Sequence, residues 1–240
     1  MQQVDILAVS THPDDVELAC GGTLILALQQ GLAVAIADLT AGEAATRGTP
    51  DIRRAEAAEA ARRLGVGQRI CLGLPDTRVG TDPGHEDAVV EVIRTLRPRI
   101  LLAPWPEDRH PDHAAGGRLV ERAAFLARIA GRGTGTPHPV GRLLRYPGHH
   151  PFMPSVVVDV TAVWPRRMHA LAAHASQFDP ASGAATALAD GSFLRFVEAR
   201  AICHGAMIGA AYGEGFALAG PARVERLDSL LPSGAYGNFA

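Results

Sequence analysis

Two short segments carry most of the side chains capable of chemistry. Thr11-His12-Pro13-Asp14-Asp15 stands near the start, and Arg109-His110-Pro111-Asp112-His113 follows about a hundred residues later. Each sets imidazoles and carboxylates beside a proline, just after an apolar run. His12 and Asp15 are three residues apart, so on an incipient helical turn they share a face and can grip one ion. His113 offers a third donor. Two histidines and a carboxylate, with a fourth position open, is the layout of a catalytic zinc site. No thiolate is placed to close it: Cys20, Cys71 and Cys203 are scattered, and no Cys-x-x-Cys occurs. The donors prefer zinc and also suit iron(II), cobalt or manganese.

Asp14 lies between two of these donors, its side chain turned about 100° from that of Asp15. It is therefore free to face water at the open position and serve as general base. His110, three residues before His113, is a candidate to stabilise an oxyanion, or protonate a leaving amine, as an imidazolium. Asp112 is a candidate to orient or charge His110, and it also stands where it could cap the helix it starts.

These groups meet only if the fold brings the segments together. Apolar runs at residues 4–10, 33–39, 69–72 and 99–103 read as strands. Gly21-Gly22 opens a helix ending at Gly31. Residues 52–64 with Asp51 as N-cap, 86–96 and 112–130 also read as helices. This alternation implies the α/β class: a Rossmann-like, mostly parallel sheet with helices on both faces, in a single domain over residues 1–240. With strand order 3-2-1-4, strands one and four are neighbours where the winding reverses, and ligands bind in the crevice at their carboxyl ends. Both His-Pro-Asp segments follow those strands. Beyond residue 141 the pattern weakens. Residues 143–146 and 156–160 read as strands, 162–177 and 193–211 as helices, and 131–155 and 178–192 as loops.

The 240-residue chain has a formal charge of −2 and 5% aromatic residues. It offers neither a basic field nor a basic stretch interleaved with aromatics, so nucleic acid is not an expected partner. No run reaches the ~18 apolar residues of a membrane span. The first residues lack a basic region and a small-residue cleavage site, and scattered cysteines suit a reducing compartment. The expectation is a cytoplasmic protein acting on a small molecule. A non-catalytic nucleotide- or sugar-binding module would use the same crevice, but the chain has no G-x-G-x-x-G and no P-loop. A structural zinc protein would need a closed ligand set.

His12-Pro13-Asp14-Asp15 with Glu17 and Gly21-Gly22-Thr23, followed by His110-Pro111-Asp112-His113, resembles the PIG-L (LmbE-like) zinc deacetylases, which act on N-acetylglucosamine derivatives. Asp38-Leu39-Thr40-Ala41-Gly42-Glu43, Arg47-Gly48-Thr49-Pro50 and Leu72-Gly73-Leu74-Pro75-Asp76 match as well. So do Ser176-Gln177-Phe178 and Tyr212-Gly213-Glu214-Gly215-Phe216. The resemblance spans about residues 4–220. It implies His12, Asp15 and His113 as zinc ligands, Asp14 as base and His110 at the oxyanion. Length and Arg145-Tyr146-Pro147-Gly148-His149-His150 look most like the N-acetylglucosaminyl-malate deacetylases of bacillithiol synthesis, which implies a homo-oligomer, a hexamer by this resemblance. A chitobiose-type or other N-acetyl-sugar deacetylase is the alternative. Malate is dianionic; Arg53 matches a substrate-binding arginine of that subfamily, and Arg109 could assist. Glu43 could bond sugar hydroxyls or only fix its loop. His149 and His150 stand in a loop that could close over the sugar. Some relatives carry a tyrosine after the glycine equivalent to Gly191; here Ser192-Phe193 fills that stretch without its hydroxyl.

Overall fold

The computed structural model describes residues 2–221. Strands β1 (Ile6–Ser10), β2 (Val34–Asp38), β3 (Gln68–Cys71), β4 (Ile100–Pro104) and β5 (Arg142–Tyr146) are parallel. Helices α1 (Asp15–Ala19) and α2 (Gly21–Gln29) follow β1, α3 (Pro50–Leu64) follows β2, α4 (Pro83–Leu96) follows β3, and α5 (Pro111–Leu126) follows β4. The chain then forms β6 (Val156–Asp159), α6 (Trp164–Leu171), α7 (Ala175–Phe178), α8 (Ser192–Ala206) and β7 (Gly213–Leu218). The sheet order is β3-β2-β1-β4-β5-β7-β6, so the expected 3-2-1-4 arrangement is present. β7 runs antiparallel to both its neighbours.

β1 and β2 are buried along their whole length, as strands covered on both faces must be. Their side chains alternate between two cores. Ile6, Ala8 and Ile36 pack with Leu24, Ile25, Leu64 and Trp164 on one face. Leu7, Val9, Ala35 and Ala37 pack with Val89, Ile93, Leu119 and Val120 on the other. Buried on both sides, the sheet presents a fixed edge at the carboxyl ends of β1 and β4, where the two motifs emerge. No helix among the described residues is long and apolar enough to cross a membrane.

Several boundaries differ from the sequence reading. The N-cap of α3 is Thr49, not Asp51. Its hydroxyl accepts the Ile52 N–H at 3.3 Å, and Pro50 takes the first turn, where its missing N–H costs nothing. Asp82 caps α4 from Pro83, three residues earlier than expected. Helix α5 stops at Leu126 and α8 at Ala206, short of 130 and 211. The stretch expected as one helix over 162–177 is broken. A 3-10 turn precedes α6, and α7 starts only at Ala175. There Glu56 takes the Ser176 N–H at 2.6 Å and its hydroxyl at 2.7 Å, holding the first turn of α7 against α3. β7 was not expected as a strand. Its glycines weaken the strand signal, yet they admit the neighbouring α8: a Cβ on Gly215 would lie 2.5 Å from His204 Nδ1.

Candidate metal centre

Because β1 pairs directly with β4, residues 11–15 and 105–113 face each other. His12 Nδ1 and His113 Nε2 are 3.2 Å apart, and His113 Nε2 is 3.2 Å from Asp15 Oδ1. One donor atom from each of His12, Asp15 and His113 falls within 4.8 Å of the others. Asp15 is pinned: its Oδ2 accepts the Thr11 and His12 N–H groups at 3.0 and 2.9 Å. The outer ring nitrogens also meet carboxylates. His12 Nε2 is 3.0 Å from Asp76 and 3.8 Å from Asp112, and His113 Nδ1 is 3.6 Å from Asp108. Such partners hold a proton on the outer nitrogen and aim the inner lone pair at a shared point. Burial works to lower the His12 pKa, but Asp112, Asp76 and Asp15 carry it up to about 9. Burial is likewise outweighed at His113, where Asp15 and Asp108 raise the pKa to about 10. Two buried imidazoles of high basicity beside a carboxylate held ionised fit a divalent cation of zinc's ligand preference.

These groups form one wall of a cavity of about 380 Å³, also lined by Asp14, Arg53, Arg109, His110 and His149. Asp14 Oδ2 lies 3.4 Å from Arg53 Nη2, and Arg53 Nη1 donates to the Gly42 carbonyl at 3.2 Å. Gly42 is needed there, since a Cβ would lie 2.2 Å from that nitrogen. Arg109 is exposed at the mouth. Glu43 is exposed and not among the lining residues; its carboxylate accepts the Asp76 N–H at 2.7 Å and so fixes its loop.

The Asp112 carboxylate accepts the Thr77 N–H at 2.6 Å and lies 3.8 Å from His12 Nε2, and its charge also acts on His110. One expectation is corrected. Asp112 does not cap α5: His110 is the N-cap, its Nδ1 accepting the Asp112 N–H at 3.3 Å. An accepting Nδ1 leaves the ring proton on Nε2. Burial, then the neighbouring His113 and His12, lowers the His110 pKa. The shift favours the neutral ring, whose Nε2–H is placed to donate.

Sequence reasoning missed the supports. Asp76 stood in a quoted motif and Asp108 two residues before His110, but only the fold shows which ring each one meets. It also missed the network beneath α1. Arg69 donates to Glu17 at 2.6 Å and to Asp38 at 2.7 and 2.9 Å, and Ser10 donates to Asp38. Burial alone would raise the Glu17 pKa; the Arg69 charge and His174 bring it down to about 2.

The PIG-L family, described as GlcNAc-PI de-N-acetylase, matches residues 7–124. The "Probable N-acetyl-alpha-D-glucosaminyl L-malate deacetylase 2" of Bacillus cereus is 31% identical over 185 residues, covering 72% of this chain and 83% of the relative. The diacetylchitobiose deacetylase of Thermococcus kodakarensis is 31% identical over 195 residues, covering 72% and 70%. The crystal structure of a conserved protein from Thermus thermophilus has a TM-score of 0.84 at 38% identity, covering 92% of this chain and 97% of that one.

Proposed function

This chain belongs to the PIG-L family of de-N-acetylases, and from that premise we propose that it is a zinc-dependent amidohydrolase cleaving the acetamide of an N-acetylglucosamine glycoside, the L-malate glycoside of bacillithiol biosynthesis before others. One observation carries the reading: Asp14 and His110 line the same cavity as the three convergent donors. His12, Asp15 and His113 would hold the zinc ion, which supplies Lewis-acid activation of water and of the amide carbonyl. Asp14 takes the proton of the attacking water. Its pairing with Arg53 orients the carboxylate. His110 donates through Nε2–H to the oxyanion that develops as the carbonyl is attacked. The proton held by Asp14 then passes to the departing amine, and acetate and the free amino sugar leave. Asp76, Asp112 and Asp108 keep the two ligand rings in place.

The malate glycoside is favoured by the cationic groups at the cavity: Arg109 at the mouth and Arg53 deeper can meet carboxylates. The similarity to a malate-glycoside deacetylase points the same way. The equal identity to a chitobiose deacetylase supports a neutral N-acetyl sugar as the second reading. The proposal includes a single catalytic domain, a homo-oligomeric, hexameric assembly and a cytoplasmic setting. The test is acetate release from N-acetylglucosaminyl malate and from neutral N-acetylglucosaminides, with and without chelator. Chelator-sensitive release, faster with malate, is expected. Faster release from the neutral sugar would replace the first reading by the second, and release from neither would overturn both.

A further inference from the structure

His149 occupies a wall of the cavity that the reaction above leaves unused. It enters from the loop after β5, and three contacts fix it. Asp108, whose side chain is 1% exposed, lies 3.0 Å from His149 Nδ1 and accepts the His149 backbone N–H at 2.6 Å. One ring face stacks on His113, with centroids 5.2 Å apart and planes at 22°. Phe193 of α8 lies against the ring as well, centroid to centroid 5.1 Å. The loop cannot slide: Arg200 donates to the Gly148 carbonyl, and a Cβ on Gly148 would lie 2.5 Å from Asp108 Oδ2 and 3.0 Å from His113 Nδ1. The imidazole is therefore held by its Nδ1 edge and its faces. Nδ1 is taken up by Asp108, so Nε2 is the ring atom left to meet a ligand, and among the described residues it has no hydrogen-bond partner. The neighbouring lining groups Phe193 and Leu188 are apolar. A polar ring atom fixed in place beside Phe193 selects a ligand that brings a hydrogen-bonding group to that point.

We propose that His149 is a substrate-recognition residue whose Nε2 hydrogen-bonds a hydroxyl of the sugar ring. The inference rests on the sugar-deacetylase reading and deepens it. A ring hydroxyl both donates and accepts, so it can pair with Nε2 in either protonation form of the imidazole. Phe193 beside it contributes apolar surface to the same lining.

His149→Asn is the discriminating variant, since its amide nitrogen takes the place of Nδ1 on Asp108 while Nε2 is deleted. The zinc-loaded enzyme is titrated calorimetrically with glucosamine, and kcat and KM are measured for N-acetylglucosamine methyl glycoside and its set of monodeoxy analogues. Loss of one hydrogen bond predicts about tenfold weaker glucosamine binding and about tenfold higher KM, with kcat within a factor of about two. One deoxy analogue should be as poor for wild type as the full glycoside is for the variant, and the variant should not distinguish the two. His149→Gln, which restores a hydrogen-bonding group near Nε2, should recover part of the loss. Equal hydroxyl discrimination by wild type and His149→Asn, with unchanged zinc content and Tm, overturns the inference and leaves the deacetylase reading intact. If wild type neither binds amino sugar nor releases acetate, the reading and the inference fall together.

Discussion

The two sides of the cavity are built by different means. The side ahead of residue 147 hangs from parallel strands buried on both faces, and it places His12, Asp14, Asp15, His110 and His113 at the ends of β1 and β4. The side behind it comes from the loop after β5 and from α8, which the antiparallel β7 ties to the sheet edge. On the first side every ring that could hold a cation has a carboxylate on its outer nitrogen. On the second, His149 and Phe193 meet the cavity with one imidazole nitrogen and an apolar ring. The contrast separates chemistry from recognition. Changes at the donors, Asp14 and His110 should move metal content and kcat, while changes at His149, as at the substrate-facing Arg109, should move KM.

Removing a ligand is the harshest break on the first side. His113→Ala should lose zinc and activity together, measured by metal analysis of the purified protein; full zinc occupancy would remove His113 from the ligand set. Asp14→Asn comes next. It should keep zinc yet lower kcat by ~10²–10⁴-fold, and an unchanged kcat would refute Asp14 as base. Asp112→Asn sharpens the role of that residue. Acting on His12, it should weaken zinc affinity by ~10–100-fold in a competition titration; a lower kcat at unchanged zinc affinity would return Asp112 to His110. The smallest effect is on acid stability. The Glu17 pKa is depressed from 4.5 to about 2, so its stabilisation is complete above about pH 4.5 and is lost as pH falls toward 2. Glu17→Gln should be less stable at neutral pH and flatten the denaturation curve in that window. An unaltered slope would mean that the Arg69 network does not hold Glu17 ionised.

The same division explains what could be read without coordinates. β1, β2 and β4 are unbroken apolar runs closed by polar motifs, so their existence, order and the adjacency of the two His-Pro-Asp segments were legible. The convergence of three donors was legible too, because His12 and Asp15 are local in sequence and the crossover geometry brings His113 to them. The supports were not. Whether Asp112 faces His110 or His12 depends on where the loop at Thr77 lies, and spacing says nothing of it. Asp108 meets His113 and His149 only because β4 and β5 are neighbours. β7 was hidden by its glycines, which serve helix packing more than strand propensity. The start of α7 was hidden because the carboxylate that accepts its first-turn N–H, Glu56, is distant in sequence.

The central claim is one divalent cation between His12, Asp15 and His113. Crystals of the zinc-loaded protein, examined by anomalous scattering at the zinc edge, test it most directly. One strong peak should lie within bonding distance of His12 Nδ1, an Asp15 carboxylate oxygen and His113 Nε2. A peak instead among Asp108, His113 and His149, or among His12, Asp76 and Asp112, would contradict the account, as would no ordered zinc at all.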